Sequence, residues 1–511
     1  MAGDGTCRCP PKRHVYNPQR SGCLVVGSGN AGFASSISAA QAGAKRVLLI
    51  DKCPEEWAGG NTYFTAGAYR TVQKIHLTPY SENFLADLNK VCMGRSDLEL
   101  AKTLIGDSNS TIKWLARQGI RFQLSFNRQA LKTGDGGKVL IDDYRTAAER
   151  NRIQVIWPTR LVGIHSNLDG SFTVTTKTGD KKQVIRAGAV ILAAGGLESK
   201  AQMRSQFLGP GWGFALVRGT PYSTGDCLEI AIGQLAVQPV GDWSGCHSVA
   251  WDVNANPNID DCAASNEYTK SGYPLGLMLY VDGQRFVDEG IDLRSYTYAK
   301  FGRAILQQPE QLAFQVRDSQ TSRWLRSEGY REERVEHITA QSLEELAEKC
   351  EQCGLHDREA FVRTIREYNG AVYAHRQENP SAKWNPAVKD GLSTQSSQKQ
   401  LALAKSNWAL PLDKASCLAV KVTCGITFTF RGLKVDPQAA QLAAASTGRP
   451  IPGIFCVGEM VGGLLYSNYS GGSGLTSGAV FGRRLGKAAA VVATNVLKRV
   501  SKEHGCPTCF I

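Results

Sequence analysis

The sequence predicts an α/β protein: a discontinuous Rossmann-type domain interrupted by an inserted α+β capping domain. Three observations predict it. Short apolar runs end in glycine at Cys23–Val26 before Gly27, Ala189–Ala193 before Gly195 and Gly196, and Ile454–Val457 before Gly458. Such runs are the mark of parallel strands buried on both faces. The first run leads through a small-residue helical segment into a second apolar run, a βαβ unit of about 30 residues. The last run returns near the C-terminus, so both ends of the chain build one sheet and the middle holds the insert.

Taken in order, Cys23–Val26 reads as the first strand, Asn30–Ala42 as a helix closed by Gly43, and Arg46–Asp51 as the second strand. Ser96–Gly119 carries apolar residues at helical spacing, and Gly137–Arg150 is a second helix candidate. Ile153–Trp157, Leu161–Ile164 and Ser171–Lys177 read as strands, with a turn at Asp169-Gly170. Thr224–Ala236 is a helix candidate. From about Cys246 to Leu403 the texture changes to more charge and fewer buried strands, with helices at Leu343–Cys353 and Arg358–His375. A long Ala-rich helix closes the chain over Gly474–Lys498. The expected organisation is a flexible arm at 1–21, a first part of the nucleotide domain at 22–245, a capping domain at 246–404, the second part at 405–498 and a tail at 499–511.

Composition narrows the function. A chain of 511 residues, 42% hydrophobic and 21% charged, buries large cores and is not a disordered protein. At roughly 150 residues per domain it holds about three units. No apolar run approaches the ~18 residues of a spanning helix; Ala189–Leu197 and Ala488–Leu497 are about half that, which argues against an integral membrane protein. Lys and Arg number 59 against 46 Asp and Glu, a formal charge of +13. The basic residues are dispersed, which argues against a nucleic-acid partner and is compatible with an acidic substrate. Met1–Ser21 is basic without an apolar stretch and does not read as a signal peptide, so a cytoplasmic location is expected.

Gly27-Ser28-Gly29-Asn30-Ala31-Gly32 is a G-x-G-x-x-G placed between strand and helix. The first glycine makes the turn, the second admits a pyrophosphate, and the third lets helix pack on strand. The helix N-terminus offers free N–H groups to an anion. Asp51 ends the second strand 24 residues after Gly27, where an acid holds a ribose hydroxyl and disfavours a 2′-phosphate. FAD or NAD remains. Three further segments favour FAD. They are Gly59-Gly60-Asn61-Thr62, the pair Gly195-Gly196, and Gly458-Glu459 close before Gly472-Ser473-Gly474-Leu475, which opens the terminal helix toward a flavin. The candidate cofactor residues are Gly27, Gly29, Asn30, Ala31, Gly32, Asp51, Lys52, Gly59, Gly60, Asn61, Thr62, Gly67, Ala194, Gly195, Gly196, Asp226, Gly458, Glu459, Gly472, Ser473, Gly474 and Leu475.

The set GSGNAG, Asp51, GGNTYFTAGAYR, Thr224-Gly225-Asp226, IPGIFCVGE and NYSGGSGL resembles the fumarate reductase/succinate dehydrogenase flavoprotein superfamily. Within it, Asp242–Asp252, Gly283–Leu306, Asn385–Gly391, Val422–Asp436 and Gly458–Gly482 are similar to the tricarballylate dehydrogenase-like branch. The resemblance runs from about Cys23 to Leu497. It implies non-covalent FAD and desaturation of a tricarboxylate to cis-aconitate. It also places Thr427 where classical fumarate reductases carry a substrate His, Tyr469 where they carry a substrate Arg, and Asn61 where a covalent-flavin His falls. Arg431 stands where the branch usually has glycine, and Ser470 where it usually has proline; the stretch after Phe126 is shorter. Arg431, expected beside the flavin pocket, would therefore select another anionic substrate or hinder binding.

Desaturating a carboxylate chain removes a proton α to the carboxylate and passes the β-hydride to a flavin, so the site must clamp the carboxylate and exclude water. Arg is the best clamp because its fork matches a carboxylate. The candidates are Arg285, Arg294 and Arg303, with His247 in the segment matching the superfamily's substrate-binding His and Tyr469 beside the last glycine loop. Tyr296 and Tyr298 are further hydroxyl donors. Each arginine has a plainer reading, as an ion pair or a solvated side chain. The expected partners are a small anionic carboxylate and an electron acceptor that the motifs do not specify. The alternatives are a desaturase or reductase of another anionic or specialised substrate, and, from another class, a flavin-binding electron-transfer or sensor module. The pairs Cys350/Cys353 and Cys506/Cys509 read as free thiols, and no metal site is expected.

Overall fold

The computed structural model describes residues 20–503 apart from 73–79, 125–129, 135, 259–260 and 262–263. Residues 1–19 of the expected N-terminal arm, Phe126, Cys506 and Cys509 lie outside the described residues, while Arg20 and Ser21, expected in the arm, begin the first strand. The elements used below are, in chain order, β1 (Arg20–Val26), α1 (Asn30–Gln41), β2 (Val47–Ile50), β3 (Gln154–Ile156), β4 (Arg160–Ser166), β5 (Phe172–Thr178), β6 (Lys181–Leu192), α2 (Asp226–Leu235), β7 (Pro239–Asp252), β8 (Leu277–Tyr280), α3 (Arg294–Leu306), β9 (Ala313–Asp318), β10 (Cys417–Leu433), β11 (Gln441–Ala443), β12 (Pro450–Cys456) and α4 (Ser473–Glu503).

The first sheet runs β11-β12-β6-β1-β2-β3, with parallel pairing from β12 to β3 and the antiparallel β4 and β5 attached through β6. Its central strands are buried on both faces, as the uninterrupted apolar runs require; Cys23, Leu24 and Val25 are fully buried. β12 brings the C-terminal part of the chain beside β6, so the expected discontinuity is observed. The helix that packs across β1 is α1, and the long α4 lies against it. Glycines at 478, 482 and 486 of α4 repeat every fourth residue and form one face. A Cβ on Gly478 would lie 2.6 Å from Asn30 Nδ2, and one on Gly486 would lie 2.6 Å from the Ser35 carbonyl oxygen. The two backbones therefore approach closely only because these positions have no side chain.

The second sheet runs Leu216–Val217, β10, β9, β8, with β7 and Ile338–Ala340 also paired to β10. Its limits differ from the expected capping domain. β7 runs through the expected break between residues 245 and 246, and β10 lies beyond the expected end at 404. The cap is thus built from chain on both sides of the insert, because its strands hydrogen-bond across the boundary. Fewer buried strands were expected here, yet all six residues of β9 are buried, Gln315, Arg317 and Asp318 included. Their partners are inside as well: Gln315 Nε2 donates to the Lys270 carbonyl at 2.8 Å, and Tyr330 Oη donates to Gln315 Oε1 at 2.8 Å. A strand that satisfies its polar groups internally does not look buried in sequence.

The expected helices recur as Leu98–Arg117, capped by Asp97, and as Gly136–Arg150, Leu343–Gln352 and Arg358–Glu378. α4 continues to Glu503, so the expected tail from 499 is in part helix. Cys350 is buried in its helix and Cys353 caps it. Among the described residues no group of three His, Cys, Asp or Glu is arranged to hold a metal, and no helix is long and apolar enough to cross a membrane.

Two glycines separate close packing from helix propensity. Any side chain on Gly32 would overlap the Gly27 carbonyl oxygen, and overpacking of this kind costs about 1–3 kcal/mol or more. Gly233 is exposed within α2 and meets nothing, so alanine there gains about 0.5–1 kcal/mol. Thermal unfolding of the two variants checks the contrast: Gly32→Ala is expected to lower Tm, and Gly233→Ala to raise it slightly.

Candidate active site

The C-terminal ends of β1, β2, β6 and β12 open into a cavity of about 350 Å³ whose opposite wall comes from β10. Of the expected cofactor residues, Gly27, Gly29, Asn30, Ala31, Asp51, Lys52, Gly59, Gly60, Asn61, Thr62, Ala194, Gly195, Asp226, Gly458, Glu459, Gly472, Gly474 and Leu475 line it. Four do not. Gly32 packs behind the turn, Gly67 has a positive φ and abuts Thr133 and Gly136, Gly196 lies against two carboxylates, and Ser473 is fully buried at the start of α4.

Asn30 joins the pieces. Its Nδ2 donates to the Leu475 carbonyl at 2.9 Å, its Oδ1 accepts from Tyr69 at 2.6 Å and Tyr144 at 2.8 Å, and its backbone N–H donates to Thr62 Oγ1 at 3.1 Å. Asp51 accepts from both the N–H (2.6 Å) and the hydroxyl (2.8 Å) of Ser28 on one oxygen, and from the Cys53 N–H at 3.1 Å on the other. A carboxylate has about four acceptor positions, so it retains capacity for a ribose hydroxyl. Asp226 is bridged by Lys52 at 2.8 Å and Arg160 at 3.1 Å. Burial works against its charged form, but Lys52, Thr224 and Arg160 outweigh that and hold the carboxyl below the ordinary range.

The residues fit FAD. A row of glycines without side chains follows the mouths of three parallel strands, the N-termini of α1 and α4 point their free N–H groups into the same space, and Asp51 ends β2. When bound, FAD supplies hydride acceptance and donation.

Asn61, aligned by the resemblance with a covalent-flavin position, joins the two domains. Its Nδ2 donates to Glu198 Oε1 and to the Thr427 carbonyl, each at 2.6 Å, and its Oδ1 accepts from the Thr220 N–H at 3.0 Å. Glu198 was not expected. It is fully buried and faces Glu459, whose Oε1 accepts from the N–H (2.7 Å) and hydroxyl (2.9 Å) of Thr429. Burial raises both carboxyls, that of Glu459 strongly and further through the charge of Glu198, so the pair holds a proton. Arg431 lies nearby. Its guanidinium is buried, has no hydrogen-bond partner among the described residues, and sits 4.6 Å from the centre of the Phe207 ring and 5.2 Å from that of Trp243. Burial pulls its pKa down to about 10 while the two glutamates oppose this, so it stays charged at neutral pH. Arg431 does not line the cavity, contrary to the expectation that it reshapes the substrate pocket directly.

The expected carboxylate clamps are not brought together. Arg285 forms a buried ion pair with Glu289 and donates to the Leu403 carbonyl at 2.7 Å inside the cap. Arg294 donates to Ser271 at 3.0 Å beside a separate cleft. Arg303 donates to the Ser244 carbonyl at 2.8 Å over the Trp212 ring. Tyr296 donates to Asp87 at 2.8 Å; the Tyr298 side chain lies outside the described residues. Tyr469 lines the cavity, and His247 stacks behind it on Phe428 with ring centres 5.3 Å apart. Burial, with the charge of Arg218 added, holds His247 well below the usual histidine pKa, so it is neutral. The arginine that does line the cap end is Arg218. Its Nη1 donates to Thr427 Oγ1 at 2.9 Å and its Nε to Thr269 Oγ1 at 3.1 Å, with the Trp251 ring 5.6 Å away. Sequence reasoning missed it because it sits on a two-residue strand end outside the recognised blocks; its place just ahead of Thr224-Gly225-Asp226 was the available signal.

Because both glutamates titrate above their ordinary range in the fold, their protonated form favours folding, and that stability is lost as pH rises through the folded values. Glu459→Gln mimics the protonated state. Its unfolding free energy is expected to fall less than that of the parent as pH rises from the acidic range. Equal pH slopes would show that the pair is not a proton store.

The profile of the FAD binding domain family matches residues 22–475. The probable fumarate reductase Ifc3 of Shewanella frigidimarina is 28% identical over 91% of this chain and 74% of its own length. The urocanate reductase of Eggerthella lenta is 24% identical over 92% of this chain and 74% of its own length. The open conformation of a flavocytochrome c3 fumarate reductase superposes with a TM-score of 0.72 at 25% identity, over 93% of this chain and 79% of that one. With a glycine-lined cavity at the strand mouths and a family match across most of its length, the chain belongs to the FAD binding domain family.

Proposed function

We propose that this protein is an FAD-dependent oxidoreductase that transfers a hydride and a proton across a carbon–carbon bond next to a carboxylate, with FAD held non-covalently. The observation that carries the reading is Arg218, an arginine fixed on two threonine hydroxyls in the wall that faces the glycine loops. Arg218 holds the carboxylate and orients the adjacent carbons. Phe428, Phe430, Leu464 and Leu465 keep water from the reacting bond, which strengthens the arginine's field. Tyr469 is the phenol of this wall, and we assign proton transfer to it. Similar proteins named for fumarate and urocanate, both unsaturated carboxylates, support the bond type.

Non-covalent FAD is supported by Asn61, whose amide is engaged at both ends and offers no nucleophile. The tricarballylate-to-cis-aconitate reaction is one version of this reading. Three carboxylates call for several cations, and of the three that line the described cavity Lys52 and Arg160 bind Asp226; the geometry therefore favours a substrate with a single anionic end.

Heat denaturation is expected to release all flavin into the supernatant; flavin remaining on the precipitated chain contradicts the non-covalent assignment. Tyr469→Phe is expected to keep its FAD and lose about 10²–10⁴-fold in turnover. Arg218→Ala is expected to keep FAD and raise KM for the carboxylate by ~10-fold or more, a loss of about 1.4 kcal/mol or more of binding. Unchanged kinetics in both variants would contradict the placement of the substrate.

A further inference from the structure

Resting on that reading of the site, we infer that the substrate is a conjugated acid with one carboxylate and a flat aromatic group, of the 3-arylacrylate/3-arylpropanoate class, rather than a small di- or tricarboxylate. Four observations point there. Phe428, Phe430 and Tyr469 line the cap end of the cavity. They form a packed aromatic surface: Phe428 and Tyr469 meet edge-on at 4.9 Å, Phe428 and Phe430 at 5.4 Å, and His247 stacks on Phe428 within 14° of parallel. Such rings present faces and edges suited to another ring.

His247, packed behind this surface and neutral, backs the aromatic wall and supplies no charge to hold a second carboxylate. Arg218 stands next to this surface through Thr427, one residue from Phe428 on β10. Among the described residues that line the cavity it is the cation at the cap end; Lys52 and Arg160 lie at Asp226. Arg285, Arg294 and Arg303, which a polycarboxylate would need, are each bonded elsewhere and outside the cavity. A second or third carboxylate placed here would be desolvated against phenylalanine with no fixed cation, whereas a ring would replace water on those same faces.

The reaction balances on two electrons and two protons. The acrylate double bond gains a hydride at its β-carbon and a proton at its α-carbon, giving the 3-arylpropanoate, while a dihydroflavin is oxidised by the same two electrons. The reverse is the dehydrogenation. The aryl ring lies on the Phe428 side and the carboxylate on Arg218.

The test uses the FAD-loaded protein, reduced anaerobically, mixed separately with cinnamate, 4-hydroxycinnamate, fumarate and cis-aconitate. Flavin reoxidation and the saturated product are followed together. Cinnamates are expected to reoxidise the flavin at least 10-fold faster than either aliphatic acid. Phe428→Ala is expected to lower that preference about 10-fold, and Phe428→Leu, which keeps an apolar side chain of similar reach, to lower it less; FAD content stays unchanged in both. Fumarate or cis-aconitate reacting as fast as the cinnamates would overturn the aromatic class and leave the carboxylate oxidoreductase intact. No reoxidation by any of the four acids, with the flavin reoxidised only once dioxygen is admitted, would overturn the proposed function as well.

Discussion

The contact on which the structure depends is that between Asn30 and the C-terminal helix. Asn30 opens α1, donates to the Leu475 carbonyl in the first turn of α4, and accepts hydrogen bonds from two buried tyrosines. The glycine face of α4 at 478, 482 and 486 lets the two helices close to backbone distance. Residues more than 440 positions apart are thereby locked at one end of the sheet. Two helix N-termini meet there, and both are turned to the same cavity. Without that closure the two helix N-termini would not converge on one site for a dinucleotide.

The second constraint is β10. It is a single strand of 17 residues that pairs within the cap sheet along its length, while its residues 427–430 also form a wall of the cavity. It pairs with β7 through two register irregularities at Asp242/Cys246 and His247/Ser248. Those irregularities lie beside the aromatic cluster, where bulges commonly re-aim side chains at active sites. Asn61 bonds the Thr427 carbonyl of this strand, so the nucleotide domain and the cap meet through a backbone contact as well as through side chains. The acid pair Glu198 and Glu459 sits at the same junction. Its proton and the charge on Arg431 form a buried cluster of two carboxyls and one guanidinium, and such a cluster is tolerable only when its net charge is small.

Much of this was legible in the sequence. The G-x-G-x-x-G turn, Asp51 and the glycine pairs could be read because they serve backbone geometry, which leaves a fixed spacing. The discontinuous sheet could be read because parallel central strands are uniformly apolar. The cap could not be bounded, because much of β7 and β10 buries polar and apolar residues alike, and because β9 hides an arginine, a glutamine and an aspartate, some of whose partners are distant in sequence. The expected clamp residues stand outside the cavity for a related reason. Arg285, Arg294 and Arg303 stand in a strongly patterned block, yet the pattern serves cap packing; Arg285 completes an ion pair with the fully buried Glu289. Arg218 has no pattern around it, and only the fold carries it to the cavity.

The central claim is that one cavity joins a glycine-lined FAD site to an arginine and an aromatic wall. A crystal structure of the holoprotein grown with 3-phenylpropanoate tests it most directly. The account predicts FAD along Gly27–Asn30 and the start of α4, the ligand carboxylate on Arg218, and its ring against Phe428 and Tyr469. A carboxylate bound by Arg285, Arg294 or Arg303, or a ring lying away from the aromatic wall, would contradict it.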